Sequence, residues 1–264
     1  MSTSSAEPPA PARRSAFTST NPLIRRLEEY TDLSLPARQA LERLDRFPVK
    51  RIEARRDLVR QGETPRHVYL IMKGWACRYK LLASGRRQII DFPIPGDLCD
   101  LNVYILSRMD HSIGAITKLE VIEIDSAEFD AIAGAQLEIM RALWWQAMVT
   151  KSYHREWIVN VAARSALERV AHLLCEMFLR LESVGETDGY SCPFPVTQQD
   201  IADATGLTPV HVNRTLQALR RSGAISLEQR ILSIPDMRAL KEIGQFNPDY
   251  LHLERLQRHL NVKE

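Results

Sequence analysis

The sequence has no apolar run approaching the ~18 residues a membrane span needs. Its N-terminus has no hydrophobic core of the signal-peptide kind, so secretion is not expected and the cytoplasm is the expected location. Cysteine is scarce: Cys77, Cys99, Cys175 and Cys192 are far apart and form no CxxC pair. Four cysteines in so long a chain do not make a disulfide framework, and their spacing does not make a metal cluster. Buried or incidental thiols are expected. One-sided charge is also missing, since 35 Lys and Arg face 33 Asp and Glu, a net charge of +2. Any hold on a polyanion must therefore come from local clustering of Lys and Arg. No Ser/His/Asp set, metal-ligand spacing or phosphate-binding glycine loop stands out. No catalytic residue, metal or cofactor is expected.

The 45% of apolar residues suits a soluble chain with a proper core, and 264 residues suit two ordinary domains. Residues 1–21 are rich in Ser, Thr, Ala and Pro and read as a disordered tail. Residues 22–46 read as helical, with Leu23, Leu27, Leu41 and Leu44 as apolar positions and Pro36 just after Ser34. From about 49 the apolar stretches shorten, and glycines recur at 62, 74, 85 and 96. The stretches between them (67–72, 75–82 and 87–92) and the alternating 119–124 read as short strands. Residues 49–125 are therefore expected to form an antiparallel β-roll of the sandwich or jelly-roll type.

Helical character returns over 126–163, with Ser126 as the expected N-cap. Leu137, Met140, Trp144, Ala147, His154, Ile158 and Val161 recur at helical spacing, with a polar break at Lys151. A long amphipathic helix with such a stripe is expected to pair with a copy of itself. A further helix is read from Ser165 to Val184, with Leu167, Val170, Ala171, Leu174, Phe178 and Leu181 on one face.

The most informative segment is 197–222, TQQDIADATGLTPVHVNRTLQALRRS. Thr197 stands three residues before Asp200, a capping-box start. Gly206 can take the left-handed conformation that ends the first helix. Thr208 is a natural N-cap, and Pro209 follows at the first helical position, where its missing N–H costs nothing. The second helix is expected to bury Val212, Leu216 and Leu219. Small Ala202, the turn at Gly206 and Val212 in the angle give the helix-turn-helix of a DNA reader. The other face carries Val210, His211, Arg214, Gln217 and Arg221, with Asn213 beside it. Arg214 is the expected base reader, because arginine can donate two parallel hydrogen bonds to guanine. Gln198, Gln199 and Thr208 lie near helix starts and suit phosphate contacts. After Ser222, the stretches 225–227 and 230–234 flank Glu228 and Gln229 and read as a β-hairpin wing. A plain helix corner with solvated arginines would have no need of it.

The order of these parts resembles the CRP/FNR family of bacterial regulators over roughly 22–240. The resemblance rests on GETPRHVYLIMKGWACRYK from Gly62, on PGD at 95–97, on the long helix and on the winged segment. It implies an α+β fold: an N-terminal effector-sensing, cupin-like β-roll, a long dimerisation helix and a C-terminal winged helix-turn-helix. The parts expected are a tail 1–21, a roll 22–135, a dimerisation helix 136–163, a DNA-binding domain 164–246 and an extension 247–264. Partners implied are double-stranded DNA, a second copy of the chain, RNA polymerase and an unidentified small-molecule effector, with no membrane. Cyclic-AMP-binding members carry a Glu and an Arg where Leu101 and His111 stand, so cyclic AMP is not the expected effector. Leu101, Asn102, His111 and Ser112 are the candidate pocket positions. Iron–sulfur members use N-terminal cysteines, and no Cys precedes Cys77. Haem-binding members place Cys and His where Asp100 and Asn102 stand. Many members have Glu in place of Val210, so the half-site should differ, while Arg214 matches the family's base-reading arginine. A ligand-sensing module acting through protein contacts is the alternative; it would leave the winged segment idle. The leucines at 251, 253, 256 and 260 of the extension have no assigned role.

Overall fold

A computed structural model describes residues 19–64, 66–99, 101 and 107–253. The first elements among these residues are α1 (Pro22–Glu28) and α2 (Leu35–Glu42), followed by a 3₁₀ turn over Arg43–Arg46. The expected helical stretch is thus two short helices. Ser34 restarts the chain as N-cap of α2, its Oγ accepting from the Ala37 N–H. Asn21, read as the end of the tail, is the buried N-cap of α1.

Among the described residues eight strands follow: β1 (Val49–Ile52), β2 (Asp57–Val59), β3 (Val68–Lys73), β4 (Ala76–Leu81), β5 (Arg87–Asp91), β6 (Leu98–Cys99), β7 (Ser112–Ala115) and β8 (Leu119–Ile124). They form two antiparallel four-stranded sheets, ordered β1-β8-β3-β6 and β2-β7-β4-β5. This is the expected roll. Strands β3, β4, β5 and β8 match the sequence reading closely. β1 and β2 are too polar to show an apolar alternation, and β6 has only two residues. Gly62, Gly74, Gly85 and Gly96 all sit at turns with positive φ.

Next come α3 (Ser126–Ala133) and α4 (Leu137–Ala163). The N-cap of α3 is Asp125, one residue before the expected Ser126, its carboxylate accepting from the Glu128 N–H. α4 runs unbroken through Lys151 for 27 residues. Its Ile139, Ala142, Leu143, Val149, Tyr153 and Trp157 are buried on the rest of the chain. The stripe read from the sequence lies largely on the opposite side: Leu137 is 65% exposed, Trp144 74% and Ile158 68%. His154, also of that stripe, is half-buried.

α5 (Ala166–Glu182) starts with a complete capping box, Ser165 with Glu168. β9 (Ser191–Pro193), α6 (Gln198–Thr205), α7 (Pro209–Arg221), β10 (Ser226–Glu228), β11 (Ile231–Ser233) and α8 (Met237–Ile243) complete the order, followed by a 3₁₀ turn over Pro248–Leu251. One apolar core lies under the β1-β8-β3-β6 sheet with α1, α2 and the start of α4. The other joins Trp75, Phe92 and Ile94 of the roll to Trp157, Leu174 and Phe194. Trp75 meets Phe194 edge-on at 5.7 Å, and Phe92 meets Trp157 at 5.9 Å. The roll and the C-terminal helices thus share a core. The four cysteines are buried and none forms a disulfide. Burial pushes the Cys77, Cys175 and Cys192 thiols up to about 12, so they are inert at neutral pH.

Candidate nucleic-acid interface

The helix pair forms by the local rules its sequence obeys. Thr197 Oγ1 accepts from the Asp200 N–H at 3.2 Å, and the Asp200 carboxylate accepts from the Thr197 N–H at 3.0 Å. Two orphan donors at the start of α6 are satisfied together. Gly206 ends α6 at φ 69°, ψ 22° and returns its N–H to the Ala202 carbonyl. A side chain at this left-handed position would cost roughly 1–2 kcal/mol. Thr208 then caps α7 by accepting from the His211 N–H, with Pro209 at the first turn. Val212, Leu216 and Leu219 are at most 1% exposed, as expected.

Burying that face turns the other outward. Gln198, Gln199, Thr208, Val210, His211, Asn213, Arg214, Gln217 and Arg221 are all exposed, and Val210 is 60% exposed. The residues singled out on α7 therefore share one accessible side. Asn213 Nδ2 donates to Gln198 Oε1 at 3.2 Å, which ties α7 to the start of α6. Gln199 Nε2 donates to Asp203 at 2.7 Å. α7 contains three arginines and a histidine but no carboxylate, so nothing on the helix itself opposes an approaching phosphate.

The wing is a three-stranded sheet, β10-β11-β9. Its two-residue turn is Gln229 and Arg230, one position later than expected, both at positive φ (48° and 64°). That geometry is the one whose twist suits a two-residue hairpin. Arg220 Nη2 donates to the Leu227 carbonyl at 2.8 Å and fixes the wing to α7. The sequence reading missed Arg230, exposed at the wing tip, and missed β9, which is only three residues long.

Three of the four candidate effector positions lie among the described residues. Asn102 lies outside the described residues. Leu101 is half-buried against the roll core. Ser112 Oγ accepts from the Gln61 N–H at 2.9 Å. His111 Nε2 accepts from Arg78 Nε at 3.2 Å, and its Nδ1 stands 2.7 Å from Asp110. Arg78 is a buried cation that the sequence reading overlooked. It donates to Asp91 at 2.8 Å, and Asp91 accepts from Arg180 of α5 at 3.1 Å. These two guanidiniums hold the Asp91 carboxyl below its usual range despite its burial. His154 of α4 is half-buried, and its pKa is lowered chiefly by burial. A cavity of about 510 Å³ lies elsewhere on the roll, lined by Lys50, Arg66, His67, Tyr69, Met109 and Glu123 among others. Leu101, His111 and Ser112 do not line it.

Residues 168–243 match the family described as Crp-like helix-turn-helix domain, and residues 49–135 match the cyclic nucleotide-binding domain. The nitrogen fixation regulation protein FixK of Bradyrhizobium diazoefficiens is 34% identical over 64% of this chain and 70% of its own length. The transcriptional activatory protein AadR of Rhodopseudomonas palustris is 33% identical over 68% of this chain and 71% of its own. Among solved structures, FixK2 from Bradyrhizobium japonicum superposes with a TM-score of 0.67 at 25% identity, covering 75% of this chain and 96% of that one. No helix among the described residues is long and apolar enough to cross a membrane.

Proposed function

Because this chain belongs to the CRP/FNR family of transcription regulators, we propose that it works without catalysis as a cytoplasmic homodimer that reads a near-palindromic operator. α4, over 136–163, is the dimerisation element, and 164–246 is the DNA-binding unit. The observation that carries this reading is the outward face of α7. It sets Val210, His211, Asn213, Arg214, Gln217 and Arg221 side by side over a firmly buried opposite face. In a dimer the two α7 helices enter successive major grooves about 34 Å apart.

In this reading Arg214 reads guanine through paired hydrogen bonds. Val210 offers methyl surface to a thymine, and His211, Asn213 and Gln217 reach bases or phosphates. Gln198, Gln199, Thr208 and Arg221 position the duplex through its backbone. The roll, over 22–135, senses a signal other than cyclic AMP. Leu101 offers no carboxylate for a ribose, and the nearby cation, Arg78, is already bound to Asp91. An effector shifts the population of domain orientations competent for DNA, and RNA polymerase reads the outcome.

Selection of bound duplexes from a random pool tests the assignment. The expected result is two inverted half-sites one duplex turn apart. A pool that stays random, with the protein folded, would leave the roll acting through protein contacts instead.

A further inference from the structure

The stretch after α8, from the end of the DNA-binding unit into the extension, lies against the junction between α4 and α5. α4 ends at Ala163 with Arg164 as its C-cap, and α5 is capped by Ser165, both cap residues being extended (ψ 149° and 164°). This two-residue break has no backbone bonding that would set the angle between the helices. Side chains must set it.

Residues 244–252 supply many of them. Their route begins at Gly244, where a Cβ would stand 2.8 Å from the His172 amide nitrogen of α5. Only glycine lets the chain pass this close to a helix backbone. Gln245 then meets the break itself: its carbonyl accepts from Arg164 at 3.4 Å, and its Nε2 donates to Glu168 at 2.8 Å. Phe246 packs on the His172 ring at 4.8 Å. Asn247 caps the 3₁₀ turn over Pro248–Leu251, accepting from the Asp249 N–H at 3.0 Å. That turn aims Tyr250 inward. Its ring stacks on His172 of α5 at 5.8 Å and meets Tyr153 of α4 edge-on at 6.1 Å. Its hydroxyl donates to Glu176 of α5 at 2.7 Å. The same carboxylate accepts from Trp157 Nε1 of α4 at 3.0 Å and from Arg180 at 3.3 Å. Leu251 is fully buried, and His252 meets Trp145 of α4 edge-on at 6.4 Å. The segment thus runs beside α4 from Arg164 back to Trp145, bonded to α5 along the way.

We infer that residues 244–252 are a strut that fixes the angle between the dimerisation helix and the DNA-reading unit, with Tyr250 as its positioning residue. The strut sets how far apart two copies of α7 stand, not which bases each one reads. This rests on the dimeric operator-reading function proposed above.

The test is selection from a pool in which the spacer between half-sites varies. Tyr250→Phe keeps the packing ring and removes only the hydroxyl; Tyr250→Ala removes both. Both variants should select the wild-type half-site bases. Discrimination against spacers one base pair too long or too short should fall about tenfold in Tyr250→Phe, the loss of one hydrogen bond to a charged group, and further in Tyr250→Ala. Unchanged spacer discrimination in both variants overturns the strut. If wild type selects no paired half-sites, the operator reading falls, and amide exchange at 165–169 without DNA then decides. About tenfold faster exchange in Tyr250→Ala supports the strut, and unchanged exchange overturns it.

Discussion

Arg87 of β5 donates to Asp200 of α6 at 2.6 Å, so the roll grips the first helix of the DNA-reading pair by its capping carboxylate. Arg55 adds two bonds to the same group, at 3.0 and 3.2 Å, and Arg87 reaches Asp203 at 2.7 Å. Asp200 has no exposed side chain. Burial raises its pKa, but the Arg55, Thr197 and Arg87 hydrogen bonds outweigh burial and bring it down to about 2. A carboxylate depressed on folding stabilises above its unfolded pKa of 3.8. That stabilisation is lost as pH falls toward 2. Asp200→Asn should cost about 2–3 kcal/mol at pH 7 in urea denaturation. The deficit should shrink between pH 4 and pH 2; a constant deficit would mean the charge is not what matters.

His172 titrates in the opposite sense to a stabilising histidine. It is fully buried, and desolvation, helped by Arg164, brings its pKa down to about 3. It stays neutral in the fold, so its 3.2 Å approach to Glu156 is not an ion pair at neutral pH. The unfolded chain binds a proton below 6.5 that the folded chain refuses, so stability falls as pH drops from 6.5 toward 3. His172→Phe keeps a ring for Phe246 and Tyr250. Its stability should therefore be flatter than wild type between pH 6.5 and pH 4, and parallel curves would refute the assignment.

Arg214→Ala should weaken binding to the selected site by about 1–3 kcal/mol, while salt-sensitive background binding stays near wild type. Competition gel shifts against scrambled duplex measure the ratio. A variant that still prefers the same bases would remove Arg214 from the reading role.

The outward stripe of α4 holds Leu137, Met140, Trp144, Met148 and Ile158, all more than 40% exposed. A charge at Trp144 or Ile158 touches no core of the single chain. Trp144→Glu with Ile158→Glu should shift sedimentation from dimer to monomer with little change in the thermal midpoint. Dimeric sedimentation of the double variant would place the subunit contact elsewhere.

Much of the reading unit was legible because its determinants are local. Thr197 with Asp200, Gly206, and Thr208 with Pro209 satisfy helix ends from within a few residues. Apolar residues at helical spacing mark the buried side of α7, so the outward side follows by subtraction. The strands β3, β4, β5 and β8 were legible for a similar reason. Their apolar residues fall between turn glycines, whereas β1, β2 and β9 are too polar or too short to stand out. The α3 cap moved by one residue because Asp125 and Ser126 are both good caps and sequence alone did not choose between them.

The sequence by itself determined the helix-turn-helix, the strand-rich roll and the long amphipathic helix, because capping, turn and periodicity rules act over a handful of residues. Only the tertiary structure decided that Arg87 and Arg55 meet Asp200, that Arg78 stands between His111 and Asp91, and that Tyr250 closes on Glu176. Those partners lie as far apart as 145 residues. Contacts at that separation follow from how whole elements pack, and nothing in the neighbouring residues encodes them.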